Sequence, residues 1–293
     1  MTPALRTQGR VFCGLALALV IASVSGFNPE PRHELLAMGA LVLLLGMPHG
    51  AFDVVIARQL FAVADAKGWA LFSVGYVGLS AAVVGFWIVA PAIFLCAFLI
   101  VSAWHFGGDP EAGASMLRRV LYGGAVIVLP ALLHGAELQR LLGLVAGSAS
   151  AAFVMPVLSQ LAIPWLTATA LACALHARTS RLAACESAAL AALALVAPPL
   201  VAFSAYFCAM HSPRHILRTL ESLPAAEVRS AMALALWPTL AVLVAAVLFG
   251  FLATDLPVEE RVMQLVFVGL AALTLPHMVL LEGARRLTRM RAR

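Results

Sequence analysis

Charge is scarce in this sequence. Only 11% of its 293 residues are Asp, Glu, Lys or Arg, while 63% are hydrophobic; a soluble domain carries about 25% charged residues. That shortage excludes an ordinary soluble globule. A long polar insert and any low-complexity segment are lacking too, so residues 1–293 read as a single transmembrane domain. The five cysteines form no CxxC pair and all lie in apolar context, which excludes a thiolate metal centre and leaves them as small buried hydrophobes. The net charge of +5 is scattered over short loops, so nucleic acid is not an expected partner.

What is present is apolar length. Runs of membrane-spanning size recur near residues 11–27, 34–56, 69–90, 91–108, 117–134, 151–176, 182–197, 199–217, 231–253 and 262–282. The expected fold is therefore all-α: a polytopic membrane bundle of about ten transmembrane helices, within a range of eight to ten. Arg6 and Arg10 ahead of an apolar run also resemble a signal peptide. No small-x-small site is followed by a polar start there, so a retained first helix is expected. With the N-terminus inside, sixteen basic residues fall on the cytoplasmic side, including Arg285, Arg286, Arg289, Arg291 and Arg293, against Arg32, Arg140 and Arg261 outside. That asymmetry predicts a multi-pass protein of the inner (plasma) membrane with both termini cytoplasmic.

Five of the eight histidines fall together on this map. His49, His105, His211 and His277 lie about 12–16 residues into spans that run from outside to inside, roughly 18–24 Å deep at about 1.5 Å per residue. His215 follows His211 by one turn on the same face. His33, His134 and His176 fall at span ends, where loop or interface roles are expected. A lone membrane histidine commonly bonds a neighbouring helix, but polar residues converging at one depth point to function. Neutral imidazoles without carboxylate or thiolate in the same layer suit iron, copper or zinc. In "GMPHGAFD", Asp53 follows His49 by one turn; it either orients that imidazole or pairs with Arg58 as a helix-end charge. In "HSPRH", Arg214 has room to point to the cytoplasmic surface. Trp104, Phe106, Tyr206 and Phe207 suit a water-poor pocket for an apolar substrate, although ordinary bundle packing accounts for part of that set.

In their order and separations, "PHGAFD", "WHFG", "HSPRH" and "LPHM" resemble the Brp/Blh family of bacterial and archaeal membrane β-carotene 15,15'-dioxygenases, over about Gly46 to Glu282. The resemblance implies an iron(II) enzyme that uses molecular oxygen to cleave β-carotene at its central double bond into two retinal molecules. By motif the metal-binding, catalytic residues would be His49, His105, His211 and His215. The substrate would lie against Trp104, Phe106, Tyr206 and Phe207, with Asp53 behind the metal ligands; His277 would be a further ligand, a partner behind the ligands or part of the substrate pocket. The implied partners are β-carotene, oxygen, the lipid bilayer and a rhodopsin that receives the retinal. Three other readings stand beside it: a metal or proton transporter, a non-catalytic protein assisting rhodopsin biogenesis, and a histidine-box di-iron hydroxylase or desaturase. The last needs about eight histidines in several HxxxH or HxxHH clusters, and this chain has one HxxxH.

Overall fold

Backbone amides in hydrocarbon find no water, so each must bond within its own segment; apolar runs of this length become helices. The computed structural model describes residues 1–27, 29–61, 63 and 65–291; Arg293, counted above among the cytoplasmic charges, lies outside them. Among the described residues there are eleven helices and no strand. These are α1 (Pro3–Val24), α2 (Pro31–Phe61), α3 (Ala66–Val89), α4 (Pro91–Phe106), α5 (Met116–Leu133), α6 (Gly135–Ala146), α7 (Ser148–His176), α8 (Arg181–Val196), α9 (199–221), α10 (Ala225–Leu252) and α11 (258–291). Seven of them, α1, α2, α3, α5, α7, α10 and α11, are long and apolar enough to cross a membrane by length and composition. The protein is a multi-pass helical membrane bundle. Every expected span holds a helix, and α6 is an addition: a short amphipathic helix between two of the expected spans.

Local chemistry sets the helix starts. Prolines occupy the first turn of α1, α2, α4 and α9, where a missing N–H costs nothing. Asp65 caps α3 by accepting from the Gly68 N–H at 2.8 Å. Two helices then depart from regular winding where histidines sit. In α2 a π-turn over Val42–Gly46 passes into a tighter 3-10 segment, Met47–Phe52, that contains His49. In α9 a π-turn over Phe207–His211 ends on His211. Insertions of this kind are frequent at functional sites because they re-aim a side chain within a helix. The two stretches are tied together: Ser212 Oγ donates to the Leu45 carbonyl at 2.8 Å and Cys208 Sγ to the Leu41 carbonyl at 3.3 Å.

His105 reaches the same region because α4 and α5 touch backbone to backbone. A Cβ added at Gly123 on α5 would collide with the Ala103 carbonyl oxygen, two residues from His105, and with the Gly107 nitrogen. Gly123→Ala must therefore push α5 off α4, at a cost of about 1–3 kcal/mol. The expected result is a lower unfolding temperature in detergent for Gly123→Ala. Gly75→Ala, where an added methyl meets nothing within 4 Å, should unfold with the parent.

Candidate metal centre

The five histidine rings expected at one depth form one cluster around His49. His49 touches all four others, with ring centroids 6.4 Å from His105, 5.0 Å from His211, 5.6 Å from His215 and 5.6 Å from His277. His105 stands 4.7 Å from His211 and 5.1 Å from His277, and His215 stands 4.9 Å from His277. Ring nitrogens of His49, His105 and His277 all lie within 4.8 Å of one another.

Their hydrogen bonds fix which nitrogen is free. His49 Nδ1 lies 2.6 Å from the Gly46 carbonyl, an acceptor only, so it carries the proton. His211 Nδ1 lies 3.1 Å from both oxygens of Asp109, and Asp109 Oδ2 also accepts from the Tyr206 hydroxyl at 2.6 Å. His277 Nδ1 lies 2.6 Å from Asp53 Oδ1, while Asp53 Oδ2 accepts from the Tyr76 hydroxyl at 2.8 Å. In all three imidazoles the Nε2 lone pair is left available. Buried Nε2 atoms of His211 and His277 and the buried Nδ1 of His215 have no hydrogen-bond partner. Leaving such an atom unsatisfied costs about 1–3 kcal/mol, so three of them in one cluster call for an occupant. A divalent metal fits: the donors are neutral imidazoles, and their second nitrogens are oriented by carboxylates and a carbonyl.

A largely apolar chamber opens against this cluster, with about 1180 Å³ of empty volume including its mouth. Phe98, Phe106, Phe203, Phe207 and Phe267 contribute to its wall, and the polar side chains in the lining are His49, His105, His277, Ser102 and Thr274. Of the residues expected to meet substrate, Phe106, Phe207 and His277 line this chamber. Trp104 does not. It is 49% exposed, faces an adjoining outer groove that shares Leu99, Ile127 and Leu158 with the chamber, and has the Arg119 guanidinium 6.0 Å from its ring. Tyr206 is also absent from the wall; it is fully buried behind His211 as the donor to Asp109.

Two further expectations are corrected. Asp53 holds His277, not His49, because the 3-10 winding of Met47–Phe52 takes three residues per turn. Positions 49 and 53 therefore no longer share a face as they would in an α-helix. Arg214 does not reach the surface. It is fully buried and forms a bidentate pair with Glu186 of α8 at 2.7 and 2.8 Å, with Gln8 of α1 accepting from Nε at 2.9 Å. His33 pairs with Glu30 at the surface, His134 contacts the Val196 carbonyl, and His176 lies beside Glu111; none joins the cluster.

Asp109 was not singled out by sequence reasoning. It lies in the loop after α4, where Arg218 donates to the carbonyls of Gly108, Asp109 and Pro110 at 2.7–2.9 Å. Burial opposes its ionisation, yet His211, Tyr206 and Arg218 together hold the Asp109 carboxyl below its ordinary range. The available signal was its place in "WHFGGD", the nearest carboxylate after His105.

Comparison with known proteins supplies the context. The sequence model of the family described as "Beta-carotene 15,15'-dioxygenase" matches residues 40–283. A protein of an uncultured marine bacterium named "Beta-carotene 15,15'-dioxygenase" is 31% identical, over 83% of this chain and 91% of its own length. A Halobacterium salinarum protein named "Probable beta-carotene 15,15'-dioxygenase Blh" is 26% identical over 75% of this chain and 74% of its own. No solved structure matches.

Proposed function

From the premise that this chain belongs to the β-carotene 15,15'-dioxygenase family, we propose that it cleaves β-carotene at the central 15,15' double bond. One carbon–carbon double bond breaks and two aldehyde C=O bonds form, each taking one atom of molecular oxygen, to give two all-trans-retinal. The metal is iron(II), held by His49, His105, His211 and His215, and when bound it supplies the redox chemistry that engages oxygen. The observation that carries this reading is the set of buried, unpartnered ring nitrogens beside an apolar chamber.

The protein's own part is positioning. Gly46 and Asp109 hold the Nδ1 protons of His49 and His211, so each ring presents a lone pair rather than a proton to the centre. β-Carotene has no polar handle, so its orientation must come from shape, here the phenylalanine-lined wall that meets His49 and His105. The same wall excludes water. The distribution of arginines supports placement in the inner membrane with both termini cytoplasmic, where retinal leaves into lipid and reaches a rhodopsin.

The test is a bacterium that accumulates β-carotene. On expression its orange colour should fade, and extraction should yield retinal with no longer apocarotenal, because central cleavage gives identical halves. Persisting carotene without retinal, despite iron-loaded protein in the membrane, would sink the proposal.

A further inference from the structure

We propose that His277 is a fifth ligand of the metal, and that Asp53 and Tyr76 are the positioning residues that aim it. The inference rests on the iron-site reading above. His277 is 2% exposed, and its Nε2 is buried without a partner. His277 also offers a ring nitrogen to the one group among the described residues, with His49 and His105, whose ring nitrogens gather within 4.8 Å. Ordinary packing against a polyene gives no reason to bury an unsatisfied nitrogen among three other imidazoles.

The surroundings of His277 repeat those of His211. In each case a buried aspartate takes the Nδ1 proton and also accepts from a tyrosine hydroxyl: Asp109 with Tyr206 for His211, Asp53 with Tyr76 for His277. The two assemblies come from different elements. Asp109 is in the loop after α4 and Tyr206 on α9, whereas Asp53 is on α2 and Tyr76 on α3. His211 and His277 thus present Nε2 to the cluster from two separately built supports. A carboxylate behind an imidazole fixes its tautomer and raises its basicity, the usual support of a metal-bound histidine. The tyrosine in turn keeps the carboxylate from turning away: Asp53 Oδ2 is engaged by Tyr76, which also reaches the Leu273 carbonyl at 3.4 Å, one turn before His277.

Purified full-length protein loaded with iron(II) tests this. X-ray absorption at the iron edge should count five imidazole scatterers in the parent and four in His277→Ala at saturating iron. Chelator competition should give iron affinity lowered about 10–100-fold in Asp53→Asn, with a smaller loss in Tyr76→Phe. An unchanged imidazole count and affinity in His277→Ala would overturn the assignment. If that variant does not fold, Asp53→Asn decides: parental affinity there overturns the proposal equally. A parent that binds no iron would instead overturn the iron site itself.

Discussion

The His211→Ala protein is expected to accumulate in the membrane, purify without iron and leave β-carotene uncut. His211 is 1% exposed, contacts the rings of His49 and His105, and directs an unpartnered Nε2 into the cluster. Losing the ring removes a donor of the proposed metal site outright. Weakening its support by Asp109→Asn is the milder change, expected to lower iron affinity or rate about 10–100-fold, so loss of the ligand should exceed that and approach background. The fold should survive, since Asp109 keeps its bond from Tyr206 and its loop stays clamped by Arg218. Elemental analysis of iron per chain and extraction of retinal from a carotene-accumulating host measure the two effects. His134→Ala is the control, because His134 contacts the Val196 carbonyl away from the cluster. A His211→Ala protein with parental iron and retinal would remove His211 from the site.

The bundle was legible because hydropathy is a one-dimensional signal: an apolar run long enough for a bilayer has few alternatives to a helix. The convergence of His49, His105, His211, His215 and His277 followed from depth alone, counted along spans whose direction was assigned from the arginine distribution. The short helix α6 escaped because a search tuned to long apolar runs passes over Gly135–Ala146, which carries Glu137, Gln139 and Arg140.

Direction of side chains was the harder quantity. The Asp53 pairing assumed α-helical winding, and the tighter turn at Met47–Phe52 rotated the carboxylate from His49 toward His277 on α11. Trp104 borders a motif histidine in sequence, yet neighbours on a helix face roughly 100° apart, so Trp104 looks outward while His105 looks in. Asp109 and Tyr76 depend on which helices are neighbours, and that information is not local. Arg214 has a fainter trace. Glu186 is an isolated acid in the alanine-rich run of α8, and an ionisable residue inside such a run implies a partner.

That partner leads to the second large effect. Arg214→Met should leave Glu186, 2% exposed, without its counter-charge. Removing one member of a buried ion pair costs about 3–5 kcal/mol, a large share of the roughly 5–15 kcal/mol that holds a typical domain. The pair lies against bare backbone of α1: a Cβ at Gly9 would collide with Glu186 Oε1 and come within 3.1 Å of Arg214 Nη2. Little room exists for water to enter and solvate an orphaned carboxylate. Arg214→Met is therefore expected to yield little folded protein and a lower unfolding temperature in detergent. Replacing both partners, Glu186→Met with Arg214→Met, removes the charges together and should recover most of the lost stability. Iron binding should return with it, because Arg218 still holds the Asp109 loop through three carbonyls. The four unfolding measurements form a double-mutant cycle whose interaction energy isolates the pair. Parental stability in Arg214→Met, or a double variant no better than the single, would mean that the pair does not hold α8 to α9.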